Sequence, residues 1–292
     1  MVKTILITGA TDGIGKHLAK KLASQGHHVI LHGRNPQKLE LALQEVRSVS
    51  LRGRVSSYLA DFSKLDDVYR FVEEIKRDFQ SIDVLFNNAG LYAGKKRKAR
   101  AENVELTFML SVLVPYILTT ELSPLLEKTA DGRVINTSSY MHHFAKVKDL
   151  DFGFENNYNP GLAYNNSKLY TIWMTRYLAR DFFLRGSSIT VNSYHPGLIS
   201  TNLGNDSSDK KTKKSLFGRL MKSFSKNLDE GIETGYYLTL SEEVTGLTGY
   251  YFDEKKVKSV SEKGYTFEKA RDLINYCNDK IELFKQKSAL LN

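Results

Sequence analysis

The sequence feature that most constrains the fold is a cluster of three glycines near the start of the chain. Gly9, Gly13 and Gly15 follow an apolar run at residues 5–7. From Ile14 to Leu22, apolar side chains then recur on one stripe of a helix. A strand, a glycine turn and a helix in this order suit a pyrophosphate, because glycines let it approach the backbone and a helix N-terminus offers unpaired N–H donors. The pattern predicts a dinucleotide site, and an ordinary tight turn is the alternative.

Strand and helix signals alternate along the rest of the sequence. Strands are predicted at 28–32, 55–60, 82–86, 133–137, 189–194 and 248–252. Helices are predicted near 64–79, 102–128, 162–184, 229–240 and 267–286. This alternation predicts an α/β fold of the Rossmann type, a doubly wound parallel sheet with helices on both faces, in a single domain spanning residues 1–292. Ligands of such sheets bind outside the carboxyl ends of the strands, so each loop that follows a strand is a candidate site.

The net charge of +9 is concentrated in two segments that follow predicted strands. Residues 95–100 carry +5 and residues 209–226 carry +6, which leaves −2 for the remainder and argues against a general nucleic-acid surface. Both segments are expected to raise the local potential for an anionic cofactor or substrate. A basic, lid-like insertion is predicted at about 205–227. The other interpretation of residues 209–226 is an amphipathic helix that contacts an anionic membrane.

Cellular location is read from what the sequence lacks. Nothing resembles an apolar span of about 20 residues, and the first predicted strand begins almost at Met1, which leaves no room for a signal peptide. The only cysteine, Cys277, excludes an internal disulfide, and no Cys/His spacing suggests a metal site. We therefore expect a soluble, cytoplasmic protein without a metal ion.

The end of the second predicted strand discriminates between two dinucleotides. An NAD site places Asp or Glu there to bond the ribose hydroxyls, whereas an NADP site places a cation for the 2′-phosphate. Arg34 occupies this place in the turn at 33–36, and the first carboxylate after it is Glu40. The sequence therefore predicts NADP(H), with a solvated turn residue as the alternative for Arg34. Asp12 lies inside the glycine turn, where a carboxylate is unfavourable beside phosphate, and is a candidate helix cap instead.

Tyr164 and Lys168 are four residues apart on a predicted helix, so their side chains share one face. A phenol has an ordinary pKa of about 10, and an adjacent ammonium together with a nicotinamide cation favours the phenolate. The pair predicts a proton-exchanging tyrosine whose pKa is lowered by its lysine neighbour, and a surface helix pair is the alternative. Ser139, at the end of a predicted strand, would bond the same substrate oxygen while hydride passes to or from the nicotinamide.

Several short motifs occur in the order and spacing of one family. They are TGATDGIG at 8–15, Ala60-Asp61-Phe62, Asn87-Asn88-Ala89-Gly90, Ser138-Ser139, the segment from Tyr164 to Lys168, and His195-Pro196-Gly197. In these motifs the chain resembles the short-chain dehydrogenase/reductase superfamily. Within it, the chain most resembles the retinol dehydrogenase and WW-domain oxidoreductase branch, on Leu-Thr-Phe at 106–108, the long gap from Ser139 to Tyr164, and Thr248-Gly249-Tyr250-Tyr251-Phe252.

The resemblance implies a set of site residues. Ser139, Tyr164 and Lys168 would be catalytic, and Ser111 stands where the family usually has a catalytic Asn that helps to hold a relay water. A serine hydroxyl also donates and accepts, so a relay with a different water arrangement is expected. The residues expected to contact the cofactor are Gly9, Thr11, Asp12, Gly13, Ile14, Gly15, Arg34, Asn35, Asp61, Phe62, Asn88, Ala89, Gly90, Tyr164, Lys168, Pro196, Gly197, Ile199 and Thr201.

By the same resemblance, Asp61 would accept from the adenine amino group, with a helix N-cap as the alternative, and Thr201 would reach the nicotinamide carboxamide. The chain is expected to be an NADP(H)-dependent oxidoreductase that transfers hydride between nicotinamide and a carbonyl or alcohol of an apolar small molecule. Ser111 in place of Asn keeps a second hypothesis open, a catalytically weak NADP(H)-binding regulatory or scaffold protein. The resemblance also permits a homodimer through the long helices.

Overall fold

The central strands form from short apolar runs that are buried on both faces, as in the first strand, where Ile5, Leu6 and Ile7 are fully buried. The computed structural model describes residues 1–92, 94–99, 101–147, 150–156, 158–197, 228–262 and 264–290. Its strands are β1 (Thr4–Ile7), β2 (His28–Gly33), β3 (Val55–Leu59), β4 (Val84–Asn87), β5 (Arg133–Thr137), β6 (Thr190–Tyr194), β7 (Tyr251–Asp253) and β8 (Lys256–Val257).

These strands form one eight-stranded sheet in the order β3-β2-β1-β4-β5-β6-β7-β8. The first seven pair in parallel, so that Ile5 of β1 lies opposite Val29 of β2 on one side and Val84 of β4 on the other. The short edge strand β8 is antiparallel to β7. The predicted α/β fold with its parallel sheet is confirmed, and the antiparallel edge is an addition that the sequence did not indicate.

Helices cover both faces of the sheet, and alternate residues of a strand therefore enter different cores. Leu6 packs into the core that α3, α5, α6 and α8 cover, whereas Ile5 and Ile7 pack into the core under α1, α2 and α7. The strand order reverses at β1 and β4, where this fold places its ligand cleft. The helices are α1 (Gly13–Ser24), α2 (Pro36–Val49), α3 (Leu65–Asp78), α4 (Leu106–Phe108), α5 (Val114–Leu126), α6 (Pro160–Leu184), α7 (Leu228–Leu240) and α8 (Phe267–Ala289).

The long helix predicted near 102–128 is wrong in its detail. The chain instead forms a 3-10 turn at Ala101–Asn103, the short helix α4, a π-helical turn at Met109–Leu113, and α5. The stretch Leu106–Leu126 is also long and apolar enough to cross a membrane, contrary to the expectation that no such span exists. Because 67% of that apolar window is buried inside the domain, we assign it as a core helix of the fold.

The helix α8 packs across the outer side of the same core. The rings of Phe284 on α8 and Tyr69 on α3 stack with centroids 5.6 Å apart, and the Tyr116 hydroxyl on α5 donates to the Asn278 amide oxygen over 2.8 Å. Cys277 lies on the inner face of α8 and is fully buried. The final described segment therefore belongs to the same folded unit as the sheet.

Candidate functional site

The glycine turn after β1 is held in place by backbone contacts that exclude larger residues. Gly9 has a φ of +66°, and a Cβ on it would lie 2.9 Å from the Cα of Ala89. The side-chain amide of Asn88 donates to the carbonyl oxygens of Thr8 and Gly9 over 3.0 and 3.1 Å. A Cβ on Gly15 would lie 2.5 Å from the Gly9 oxygen. Asn88 thus fixes the turn. Gly15, which was predicted to contact the cofactor, does not line the cleft next to the turn.

A cleft of about 400 Å³ lies along the carboxyl ends of the strands, beside the turn. Most of the residues that the family resemblance assigns to the cofactor line it together, namely Gly9, Thr11, Asp12, Gly13, Ile14, Arg34, Asn35, Asp61, Phe62, Asn88, Ala89 and Gly90. The residues that line it without having been predicted are His32, Gly33, Lys38, Ser63, Leu91 and Leu110. The predicted cofactor residues from the first half of the chain therefore lie around one cleft.

The most informative residue that the sequence did not single out is His32, at the end of β2. Its Nδ1 accepts from the Gly9 N–H over 3.1 Å, and its Nε2 donates to the Ala60 carbonyl over 3.0 Å. The ring also stacks on Phe62, with centroids 3.7 Å apart. Burial lowers the pKa of His32 to about 4, so the imidazole is neutral at physiological pH, with its proton on Nε2. One side chain thus ties together the glycine turn and the ends of two strands.

Two cations stand at the same end of the cleft. Arg34 follows β2 directly, and Lys38 lies one turn later, in the first turn of α2; both are exposed and line the cleft. The side chain of Asn35 accepts from the Lys38 N–H over 2.9 Å and caps α2. Lys38 could have been suspected because it is the next cation along the chain after Arg34 and lies in the first turn of the helix that follows.

Of the two aspartates that the sequence offered as possible helix caps, only Asp12 caps a helix. Asp12 caps α1 and accepts from the Gly13 N–H over 2.8 Å, in agreement with its alternative interpretation. Asp61 accepts from the Ser63 N–H over 3.1 Å, while Lys64 is the N-cap of α3. The N-cap alternative for Asp61 is therefore wrong, and its carboxylate lines the cleft instead.

Ser139, Tyr164 and Lys168 converge at the end of β5. The Ser139 hydroxyl lies beside the Tyr164 hydroxyl and lowers its pKa. The Lys168 Nζ lies 5.6 Å from the centroid of the Tyr164 ring and donates to the Thr137 carbonyl over 2.9 Å. A Cβ on Gly90, which lines the cleft, would lie 3.9 Å from the Lys168 Nζ, so Lys168 adjoins the cleft. Tyr164 and Lys168, both predicted to contact the cofactor, are not among the residues that line it.

The protonation states at this end differ from the sequence expectation. Burial raises the pKa of the Tyr164 phenol, the neighbouring Ser139 hydroxyl lowers it, and Tyr92 raises it further. Burial lowers the pKa of Lys168 to about 8. In the protein without a cofactor, the loss of water around the phenol thus shifts the pKa of Tyr164 upward. The predicted lowering by Lys168 and a nicotinamide cation stays a prediction for the loaded site. Tyr164 is thus a protonated phenol at neutral pH and can give a proton.

Comparison with known proteins agrees with this geometry. The sequence model of the family described as short chain dehydrogenase matches residues 3–212. The chain belongs to that family. It is 32% identical to retinol dehydrogenase 14 of Homo sapiens over 97% of this chain and 87% of that protein, which assigns it to the retinol dehydrogenase branch.

Solved structures support the fold of this short-chain dehydrogenase. An uncharacterized protein from Mycobacterium paratuberculosis superposes with a TM-score of 0.75 at 24% identity, covering 96% of this chain and 93% of that chain. A short-chain dehydrogenase from Escherichia coli CFT073, solved in complex with NADPH, gives a TM-score of 0.67 at 23% identity, covering 87% and 97% of the two chains. At these identities the likeness concerns the fold alone.

Ser111 lies in the π-helical turn of this short-chain dehydrogenase. Its hydroxyl is buried and makes no hydrogen bond to any residue that the structure describes. Its carbonyl oxygen instead accepts from the Thr171 hydroxyl over 3.0 Å. The adjacent Leu110 lines the cleft. Ser111 thus adjoins a residue that lines the cleft but does not line the cleft itself. A relay role for its hydroxyl stays a prediction.

The remaining predicted residues lie after β6. Pro196 and Gly197 border a second cavity of about 210 Å³, which also contains Glu230 and Thr234. Ile199 and Thr201 fall outside the described residues, as does the basic segment 209–226. In the other basic segment, the Arg97 guanidinium donates to the carbonyl oxygens of Gly153 and Asn103.

Proposed function

We propose that the protein is an NADP(H)-dependent reductase that transfers hydride between nicotinamide and the carbonyl or alcohol of an apolar small molecule, with Tyr164 as the general acid. The observation that carries the proposal is the convergence of the Ser139 and Tyr164 hydroxyls beside Lys168, which adjoins a cleft built on a glycine turn. The family membership supplies the general reaction class, an oxidoreductase with a small-molecule substrate.

The proton chemistry follows from the side chains of the chain. Bound nicotinamide supplies or takes up the hydride. Ser139 is placed to donate a hydrogen bond to the substrate oxygen, which orients the carbonyl toward Tyr164. Because burial raises the pKa of Tyr164, the phenol holds its proton until negative charge develops on that oxygen. Lys168, protonated below its pKa of about 8, stabilises the phenolate that remains after transfer.

The residues of the cleft fit a phosphorylated dinucleotide. Gly13 and Ile14 line the cleft at the N-terminus of α1, where a pyrophosphate would bind, with Asp12 as the cap that it would have to displace from the Gly13 N–H. Arg34 and Lys38 would bond the 2′-phosphate, and no carboxylate occupies the position after β2 that an NAD site requires. A structural neighbour was solved with NADPH, which is in keeping with this choice.

An apolar substrate is supported by aromatic rings around the reaction end. Tyr92, Tyr140 and Phe144 are 37%, 49% and 57% exposed. The ring of Tyr92 lies 5.4 Å from that of Tyr164, and those of Tyr140 and Phe144 lie 6.3 Å apart directly after Ser139. Exposed aromatic surface beside catalytic groups favours an apolar ligand. The relative named retinol dehydrogenase 14 carries an apolar alcohol in its name, which agrees with this class.

The test is oxidation of NADPH and, separately, of NADH in the presence of aldehydes and ketones of increasing apolar size. The proposal predicts turnover that rises with apolar size and prefers NADPH. Tight NADPH binding without turnover of any carbonyl would favour the alternative of a catalytically weak binding or scaffold protein. A preference for NADH would contradict the assignment of Arg34 and Lys38.

Several expectations from the sequence stay predictions. They concern the cytoplasmic location, the homodimer and the contact of residues 209–226 with a membrane or with substrate. Flotation of the purified protein with anionic and with neutral liposomes tests the membrane contact, because an electrostatic contact requires the anionic lipid.

A further inference from the structure

Two buried histidines contact the peptide group that follows Ser139. The Nδ1 of His142 lies 2.6 Å from the Ser139 carbonyl oxygen. The Tyr140 N–H donates to the Nδ1 of His195 over 3.2 Å. The carbonyl and the N–H belong to the same peptide group, so one imidazole holds each of its polar ends. His142 is fully buried and His195 is 7% exposed.

The hydrogen bonds determine the tautomers of the two rings. A carbonyl oxygen only accepts, so the Nδ1 of His142 must carry a proton, and burial keeps this ring neutral by lowering its pKa to about 4. An N–H only donates, so the Nδ1 of His195 must be unprotonated. The two imidazoles therefore have opposite arrangements at the same ring atom. The backbone N–H of His142 also donates to the Ser139 carbonyl, over 3.2 Å. The two imidazole contacts require this pair of tautomers.

The two rings are themselves anchored to rigid parts of the fold. The backbone N–H of His195 donates to the Phe252 carbonyl on β7 over 2.9 Å. The ring of His142 packs edge-on against that of Tyr251, also on β7, with centroids 4.8 Å apart. Contacts with β7 of the sheet thus fix the orientation of the Ser139–Tyr140 peptide group, although the peptide itself lies in a loop.

The peptide group matters because Ser139 stands where β5 has ended and a 3-10 turn begins at Tyr140. The Ser139 hydroxyl oxygen accepts from the Met141 N–H over 3.2 Å and lies beside the Tyr164 hydroxyl. Rotation of the following peptide would move Met141 and redirect this hydroxyl. A displacement of about 1 Å at a reacting group can cost about a hundredfold in rate.

We propose that His142 and His195 are positioning residues for Ser139, which hold the Ser139–Tyr140 peptide group by its two polar ends and so keep the Ser139 hydroxyl directed at Tyr164. We name this arrangement the peptide clamp. It rests on the reductase function proposed above and adds two residues that do not touch the substrate.

The test uses the geometry of the two amide side chains in the full-length protein. Asn places its oxygen and nitrogen near the position of histidine Nδ1, whereas Gln reaches the position of Nε2. Because both contacts use Nδ1, His142→Asn and His195→Asn should keep kcat within about threefold of the wild type, and His142→Gln and His195→Gln should lower it by about tenfold or more. The KM for NADPH should change by less than about twofold in all four variants, since none of them lines the cofactor cleft.

The matched control is His28, which lies at the start of β2, one strand in from the β3 edge of the sheet, and contacts Ser56 on β3. His28→Asn and His28→Gln should leave kcat unchanged. Equal kcat values for the Asn and Gln variants at 142 and 195 would overturn the peptide clamp.

Hydrogen exchange at the Tyr140 amide gives a reading that does not depend on turnover. The wild-type amide should be protected, His195→Asn should keep the protection, and His195→Gln should speed up exchange by about tenfold or more. An unprotected wild-type amide would overturn the clamp even if no variant folded. An inactive wild type with a protected Tyr140 amide would overturn the proposed reductase function and leave the clamp supported.

Discussion

The two ends of the cleft are built in different ways. The adenosine end, formed by residues 9–14, 32–38 and 61–63, consists of backbone turns, exposed cations and one neutral histidine that ties strands together. The reaction end, formed by Ser139, Tyr164 and Lys168, consists of side chains whose protonation burial controls. We therefore expect changes at the adenosine end to alter cofactor affinity and changes at the reaction end to alter turnover.

The largest effect is expected at the reaction end. Tyr164→Phe removes the proton donor and keeps the ring, so kcat for carbonyl reduction should fall by about a thousandfold. The Kd for NADPH should change by less than about twofold, because the adenosine end is intact. Tyr177→Phe, a change on the same helix in a ring that stacks on Phe267, is the control and should leave both values unchanged. A tenfold weaker Kd in Tyr164→Phe would show that the two ends are not separable.

Arg34→Ala is expected to weaken NADPH binding by about tenfold, which corresponds to about 1.4 kcal/mol, a modest value because the side chain is exposed. The Kd for NADH should stay unchanged, because NADH has no 2′-phosphate. Titration calorimetry with both dinucleotides measures the difference. Equal weakening of both would place Arg34 away from the 2′-phosphate and sharpen the assignment of Lys38.

The pH dependence of reduction should report Lys168. Its pKa of about 8 means that the ammonium is present below this value and is lost as the pH rises through it. We expect kcat/KM to be nearly constant between about pH 6 and 7, to decline through about pH 8, and to fall by up to about tenfold per pH unit above that. A profile that stays flat to about pH 10 would show that the charge of Lys168 is not required.

His32→Leu should act on stability and on the adenosine end together. The substitution leaves the Gly9 N–H and the Ala60 carbonyl without their partner, which should cost about 1–3 kcal/mol of the free energy of unfolding. NADPH affinity should fall by about threefold to fivefold, with kcat nearly unchanged. Urea unfolding and calorimetry measure the two effects.

The protonation of His32 gives this prediction a pH signature. A histidine pKa of about 4 in the folded state, below its ordinary value, contributes stability that is complete above about pH 6.5 and is lost as the pH falls toward 4. The free energy of unfolding of the wild type should therefore fall more steeply than that of His32→Leu over this interval. Parallel curves would contradict a neutral, buried imidazole.

The smallest effect is expected for Ser111→Ala. The hydroxyl makes no hydrogen bond to a described residue, so its removal should change kcat by less than about twofold. Thr171→Val, which removes the partner of the Ser111 carbonyl, should have a larger effect on the π-helical turn. A tenfold loss of kcat in Ser111→Ala would show that the hydroxyl carries protons.

Much of the fold was predictable because periodicity and burial agree. β5 has the predicted bounds, Arg133–Thr137, and the helix predicted at 162–184 begins only two residues earlier, at Pro160. The π-helical turn at Met109–Leu113 was not predictable. It lies in a continuous apolar stretch, where one extra residue per turn changes no visible pattern of apolar and polar residues. The β8 hairpin was missed because its turn uses Glu254 and Lys255 at positive φ, where glycine or asparagine would have been the signal.

The site was predictable where one motif carries one role and not where roles depend on three-dimensional surroundings. The residues of the glycine turn, Arg34 and the pair of Ser139 and Tyr164 come together as the motifs implied. His32 was missed because a histidine within an apolar strand has no motif, and its two hydrogen bonds join it to residues far along the chain. The upward shift of the Tyr164 pKa in the protein without a cofactor was not predictable, because burial is a property of the folded protein.

The central claim is that Tyr164 is a protonated phenol that waits to give its proton. Ultraviolet difference spectroscopy between the wild type and Tyr164→Phe at pH 7 measures this state directly, since tyrosinate and phenol absorb at different wavelengths. We predict a difference spectrum with a phenol band and no tyrosinate band. A tyrosinate band at pH 7 that is absent from Tyr164→Phe would contradict the account.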